Sequence, residues 1–350
     1  MPPFLFSHRS RRFLAVSVAA CLGAAVLIWT LWPWLPMGKD SRPRTLVLYG
    51  FSILEPTITK TLFPAFREKW RAETGEDVEL ISSFAGSGTV TNQLIMGVPA
   101  EIAIFSTELD AQRLLEAGVV SGETWKRLPH GGVINRTPFV IVTRPGNPKG
   151  IHDFSDLTKP GVGIIHPDPL TSGAANWSIL AEYGAAMTRP GATPADGQAL
   201  LLGIWRNVVS LAGSGRAART QFDSGFGDVL ITYEQDGLAQ GSREGPAHEL
   251  IYPRSTIMSE HTLVVIDRNI TGEQQALIQA FIDFIWSEEG QRLFVECGFR
   301  SVNETLNGSN PEFGAIQVPL LVSDFGGWNR AKQEIIDEVW KNKVLKEINR

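Results

Sequence analysis

The chain has 350 residues, 43% of them hydrophobic and 20% charged, with a formal net charge of −5. That is the composition of a globular protein, long enough for one large or two medium domains. The acidic balance leaves no electrostatic footprint for nucleic acid, so an anion site in this chain has to be local, built from helix dipoles and N–H groups.

The first predicted element sets the compartment. His8, Arg9, Arg11 and Arg12 form a positive flank, and residues 13–35 then run without a charge, long enough to span a bilayer. The length favours an uncleaved anchor, basic side in and body outside. The alternative is a cleaved signal, for which Val18-Ala19-Ala20-Cys21 resembles a lipoprotein cleavage box. Either way the body is exported to the periplasm or the outer face of the cytoplasmic membrane. Of the two cysteines only Cys297 lies outside this stretch, so the body forms no internal disulfide.

The body alternates strands with helices. Thr45 to Tyr49 reads as a strand. Ile58, Leu62, Phe63, Phe66 and Trp70 follow at helical spacing, with Pro64 either kinking that helix or starting its second half. A strand at Val78 to Ile81 leads to a helix at Thr89 to Met96, and a strand at Glu101 to Phe105 to a helix that stops at Gly118. Further strands are expected at 139–142, 161–165, 208–209, 228–233 and 263–266. Helices are expected around Trp177 and Leu180, at 273–286, from Glu288 towards Cys297, and from Trp328 to the end. The alternation argues for an α/β body with largely parallel sheets.

Three serine-glycine turns stand at strand-to-helix junctions: Ala85-Gly86-Ser87-Gly88-Thr89, Thr171-Ser172-Gly173-Ala174 and Gly213-Ser214-Gly215-Arg216. A helix start leaves backbone N–H groups unpaired and its dipole favours negative charge. Glycine admits close approach, and serine caps or donates its hydroxyl. One such turn is an ordinary helix start. Three, all at the carboxyl ends of strands where open sheets bind ligands, point to a small anion.

Longer motifs carry a family resemblance. Residues 143–154 (Thr143-Arg144-Pro145-Gly146-Asn147-Pro148 through Phe154), Lys159-Pro160-Gly161-Val162 and Pro167-Asp168-Pro169-Leu170-Thr171-Ser172-Gly173-Ala174-Ala175-Asn176-Trp177 resemble the periplasmic sulfate- and thiosulfate-binding proteins of ABC importers. So do Gly227-Asp228-Val229-Leu230-Ile231, Ser287-Glu288-Glu289-Gly290-Gln291 and Phe325-Gly326-Gly327-Trp328. The resemblance runs from about Leu46 to Trp328. It implies the two-lobe, type II periplasmic-binding-protein fold, hinged so that the lobes close on a ligand. The segments would be 1–40 as anchor or signal, 41–137 as the first part of lobe 1, 138–255 as lobe 2, and 256–350 as the rest of lobe 1 with a C-terminal helix. The chain would cross between lobes near 136–139 and 253–258.

The resemblance also implies the oxyanion ligands. Ser87 donates from one lobe, Ser172 with the N–H groups of Gly173 and Ala174 from the other, and the N–H of Gly215 from the third turn. Gly88 and Arg216 stand behind them. Where the family places a tryptophan indole this chain has Tyr233, whose hydroxyl both donates and accepts. Where the family uses an N–H beside an Asp-Pro, the nearest counterpart is Glu55 in Ser52-Ile53-Leu54-Glu55-Pro56.

Sulfate accepts hydrogen bonds and offers none, whereas hydrogen phosphate brings a proton that needs an acceptor. Glu55 and Glu234 are the nearest candidate acceptors, read as loop surface and as a residue hydrogen-bonded near the hinge. Enzyme signatures are missing. Ala85 and Thr89 stand where a nucleophile elbow needs glycine, there is no phosphate loop, and Gly213-Ser214-Gly215-Arg216-Ala217-Ala218 lacks the context of a dinucleotide fingerprint. The histidines show no metal-ligand spacing, and His166 near Asp168 and Ser172 only suggests a triad. The expectation is therefore a monomeric receptor, with no enzyme activity, cofactor or metal, that passes sulfate or thiosulfate to an ABC permease. Phosphate, molybdate or an anchored signalling role are the alternatives.

Overall fold

The computed structural model describes residues 43–238 and 248–349, with scattered helical positions between 22 and 30. Most of the 13–35 stretch lies outside the described residues. Among those described, no helix is long and apolar enough to cross a membrane. Residues 44–350 form one compact unit.

Ten strands among the described residues make up its sheet: β1 (Arg44–Phe51), β2 (Val78–Ala85), β3 (Ile102–Phe105), β4 (Val133–Thr143), β5 (Ile164–Pro167), β6 (Val208–Ala212), β7 (Val229–Tyr233), β8 (Glu249–Ile251), β9 (Ser255–Val265) and β10 (Val318–Leu320). Their order is β2-β1-β3-β9-β4-β7-β5-β6, with β10 on β9 and β8 on β4. The outer groups β2-β1-β3 and β7-β5-β6 are internally parallel, as the strand–helix alternation predicts. The centre is not. The long strands β4 and β9 run antiparallel to each other, β4 antiparallel to β7 and β9 antiparallel to β3, while the short β10 pairs with β9 in parallel. Residues 133–138 of β4 pair with β9, and residues 139–143 pair with β7, so one strand serves both halves of the sheet. These strands exceed the predicted 139–142 and 263–266 because their polar ends, such as Asn135, Thr137 and Ser259, are buried and hydrogen-bonded and do not read as apolar runs.

Helices cover the sheet on both faces, which is why β3 and β7 are buried along their whole length. In the first half the helix Phe63–Thr74 follows a wider turn at Ile58–Leu62, with Pro64 in its first turn and Gly75 ending it at φ 72°. Pro64 therefore opens the second part of that helix. Phe66 meets Phe281 edge to face at 5.0 Å, a favoured arrangement for ring pairs. In the second half the helices Gly173–Met187 and Pro194–Trp205 carry the C-terminal helical run Ala331–Val344 on their outer side. Trp340 packs on Trp205 at 4.9 Å and Trp328 on Trp177 at 4.4 Å.

His261, in β9, is fully buried against the rings of Phe51, Tyr233 and Phe299. Its Nδ1–H donates to Asn135 Oδ1 at 2.5 Å, and its Nε2 has no partner. Burial disfavours the imidazolium and lowers its pKa to about 3. Between the unfolded value near 6.5 and about 3 the unfolded chain binds a proton that the folded chain does not. Stability is therefore full above that window and falls as pH drops through it, by up to about 1.4 kcal/mol per pH unit. Urea titrations at pH 7 and pH 5 should show this loss, and His261→Phe should flatten it. An equal slope in the variant would assign the acid limb elsewhere.

Candidate functional site

The three serine-glycine turns lie at the ends of β2, β5 and β6 and open the helices Ser87–Ile95, Gly173–Met187 and Gly215–Asp223. The fold brings them together from its two halves. Gly88 N–H donates to Thr171 O at 3.1 Å. A Cβ on Gly86 would stand 2.4 Å from Thr171 O and 2.6 Å from Gly213 O. A Cβ on Gly173 would stand 2.8 Å from Ser106 Cβ and 3.2 Å from Ser87 Cβ. Gly86 is needed because two backbones meet there, since its own φ −58° and ψ 140° are open to any residue, and Gly173 because the Ser106 and Ser87 side chains pack directly on its backbone.

Ser87, Ser172, Gly173, Ala174 and Gly215 are all buried at this junction. The N–H groups of Gly173 and Ala174 are the first two of their helix and have no intrahelical acceptor. Ser214, rather than Gly215, caps its helix, accepting from Ala217 N–H at 3.1 Å. Arg216 N–H faces Ser52 Oγ across the junction at 3.4 Å, while its Nε is buried without a partner.

A fourth strand-to-helix turn, Ser106-Thr107 after β3, also reaches the junction. Ser106 N–H donates to Ser87 Oγ at 3.1 Å, and Ser106 Oγ pairs with Tyr233 OH at 2.7 Å. Trp177 Nε1 crosses from the other half to Ser106 O at 2.7 Å. Burial raises the Tyr233 phenol pKa, so it keeps its proton and can donate. Behind Ser87 lies the buried Asp110, which accepts from Ser87 Oγ at 2.7 Å, Thr91 Oγ1 at 2.8 Å and Thr107 Oγ1 at 3.3 Å. Ser52, Ser106 and Asp110 also stand at this junction, and the sequence reading missed them. Thr107 followed three positions later by Asp110 is the helix-start pattern that marks the Ser106 turn, and no such pattern marks Ser52.

The two candidate acceptors lie elsewhere. Glu55 is exposed at the start of a helical turn. Glu234 is fully buried, but Arg300 holds it through Nε at 2.8 Å and Nη2 at 2.7 Å, with Tyr252 OH at 2.8 Å. His166 makes no triad. Its Nε2 faces Glu182 Oε1 at 3.2 Å and its Nδ1 faces Pro167 O, inside the core of the second half. No group of His, Cys, Asp and Glu among the described residues is arranged to hold a metal ion.

A strand-ended junction of helix N-termini between two sheet halves is the architecture of a binding protein that closes on its ligand. The family model described as bacterial extracellular solute-binding protein matches residues 56–300. The sulfate-binding protein of Synechococcus elongatus is 31% identical over 313 residues, covering 88% of each chain. The thiosulfate-binding protein of Pseudomonas aeruginosa is 28% identical, covering 77% of this chain and 82% of its own. Among solved structures, the sulfate-binding protein SubI from Mycobacterium tuberculosis H37Rv superposes with a TM-score of 0.75 at 31% identity, over 83% of this chain and 99% of its own. The chain belongs to the bacterial extracellular solute-binding proteins, in the branch of the sulfate- and thiosulfate-binding proteins.

Proposed function

We propose that this chain is a periplasmic receptor that closes two lobes around sulfate or thiosulfate and delivers the anion to an ABC permease. The observation that carries the reading is the convergence of Ser87 and Ser106 from one side with Ser172, Gly173, Ala174, Gly215 and Tyr233 from the other. Tyr233 sits at the end of β7 and reaches the first lobe through Ser106. The lobes would be the two halves of the sheet, and β4, which serves both, would form the hinge together with β9 beside it. The apolar 13–35 stretch would tether the receptor to the membrane.

The charges favour an unprotonated anion. Glu55 is exposed and Glu234 is held by Arg300 and Tyr252. Asp110 is close but already accepts several hydroxyls. A proton brought in on hydrogen phosphate would find no free carboxylate, and leaving it unpaired is costly. When sulfate binds, the Ser87 hydroxyl turns its proton from Asp110 to the anion, and Thr91 and Thr107 continue to hold the carboxylate.

Ser87→Ala and Ser172→Ala should each weaken sulfate binding by about 1–3 kcal/mol, since each removes a hydrogen bond to a buried charge. Isothermal titration of the full-length chain in a mild nonionic detergent reads this directly. Unchanged affinity in both variants would remove these serines from the site.

A further inference from the structure

Behind the second serine-glycine turn lies a pair of ionisable side chains that has no part in the anion contacts described so far. His166 stands near the end of β5, next to Pro167, and Glu182 comes from the helix Gly173–Met187. Both are fully buried. His166 Nδ1 faces the Pro167 carbonyl at 2.7 Å, and its Nε2 faces Glu182 Oε1 at 3.2 Å. A carbonyl only accepts, so Nδ1 carries a proton and donates it there. On the far side of the pair, Glu182 Oε1 takes the Ser178 hydroxyl at 2.8 Å and Oε2 the Trp205 indole N–H at 3.0 Å. A further proton lies between Nε2 and Glu182, and every polar atom of the pair is engaged.

A buried ionisable pair is weak evidence of added stability, because its desolvation offsets its attraction. Its geometric consequence is specific. The peptide unit between Pro167 and Asp168 is held at both ends, its C=O by His166 and its N–H by Ala212 O at 2.7 Å. The Asp168 carbonyl then takes the N–H groups of Thr171 at 3.2 Å and Ser172 at 2.8 Å. This succession of contacts ends on Ser172 and on Gly173 and Ala174, whose N–H groups are the first two of the helix that carries Glu182. Pro167 and Pro169 have no N–H with which to brace the turn themselves. One nitrogen of His166 therefore holds the turn, and the other holds the helix that the turn opens.

We propose that His166 is a positioning residue for the oxyanion: its Nδ1–H fixes the Pro167 carbonyl and so aims the Ser172 hydroxyl and the N–H groups of Gly173 and Ala174, while Glu182 fixes the ring. This rests on the receptor reading, in which those three residues donate to the anion. His166 touches no anion itself and acts through the backbone of residues 167–172.

The test compares His166→Asn with His166→Gln in the full-length chain in nonionic detergent. Asparagine places an N–H where Nδ1 stands and keeps the contact to Pro167 O, but it leaves Glu182 short of a partner. Glutamine reaches Glu182 and leaves Pro167 O without a donor. The two variants set affinity against stability. In isothermal titration, His166→Asn should bind sulfate within about threefold of wild type and His166→Gln at least about tenfold more weakly, although the unliganded melting temperature falls further in His166→Asn. A pair that only held the core together would rank affinity with stability. NMR reads the placement without any ligand: the backbone amide signals of Ser172, Gly173 and Ala174 should move in His166→Gln and stay near their wild-type positions in His166→Asn. Wild-type sulfate affinity in His166→Gln, affinities that follow the melting temperatures, or unmoved amide signals in His166→Gln would each overturn the proposal. If the wild-type chain binds no oxyanion, the receptor reading falls, and the amide signals still decide whether His166 places the turn.

Discussion

Gly86→Ala is expected to abolish tight anion binding while leaving the unliganded fold intact. Gly86 sits at φ −58° and ψ 140°, which alanine adopts freely, so nothing within its own half of the molecule opposes the change. The obstacle is across the junction, where the new Cβ would lie 2.4 Å from Thr171 O and 2.6 Å from Gly213 O. Both obstructing atoms are backbone and cannot swing aside as a flexible side chain would. Keeping the lobes apart costs the site every donor on the far side, Ser172, Gly173, Ala174 and Gly215 together. A loss of about 3 kcal/mol, roughly a hundredfold in affinity, follows from overpacking alone. The melting temperature without ligand should stay at the wild-type value. Wild-type sulfate affinity in Gly86→Ala would mean that the anion does not bind where these backbones meet.

Arg300→Met is expected to have the largest effect on stability. Glu234 is fully buried at the end of β7, and Arg300 meets it with two parallel N–H donors at 2.7 and 2.8 Å. The same guanidinium donates to Gly314 O at 2.7 Å, and the Arg300 backbone pairs both ways with Arg136 of β4. Removing the cation leaves a buried carboxylate with only Tyr252 OH and Gly314 N–H for partners. Breaking such a pair from one side typically costs about 3–5 kcal/mol. The double replacement Glu234→Leu with Arg300→Met should be less destabilised than the single, because it removes the charge along with its partner. Urea unfolding of the three proteins checks both statements. A single variant as stable as wild type would show that the pair carries no stability.

Much of the fold is readable from local pattern. β1, β3, β7 and the helices Gln275–Trp286 and Glu288–Glu296 are apolar runs or amphipathic stretches with clear ends, and they lie within a few residues of where periodicity puts them. The antiparallel centre is less legible. β4 and β9 carry buried Asn135, Thr137, Ser259 and His261, whose hydrogen bonds are long-range and leave no periodic trace.

The site divides in the same way. The three glycine-bearing turns are visible because close backbone approach demands glycine, and Gly86 and Gly173 show that demand directly. The Ser106-Thr107 turn has no glycine, so it passes for an ordinary helix start, although Ser106 links Ser87, Tyr233 and Trp177. Glu55 illustrates the converse. Its place beside Pro56 makes it the nearest counterpart of a family motif in a loop of different length, but the loop residue that reaches the other half is Ser52.

The central claim is that the junction is a donor-only site for an unprotonated oxyanion. Isothermal titration of the full-length chain with sulfate, thiosulfate, molybdate and phosphate at neutral pH tests it most directly. Sulfate or thiosulfate should bind, and phosphate should bind at least about a hundredfold more weakly, since its proton would be buried without an acceptor. A preference for phosphate, or no binding of any oxyanion, would contradict the claim.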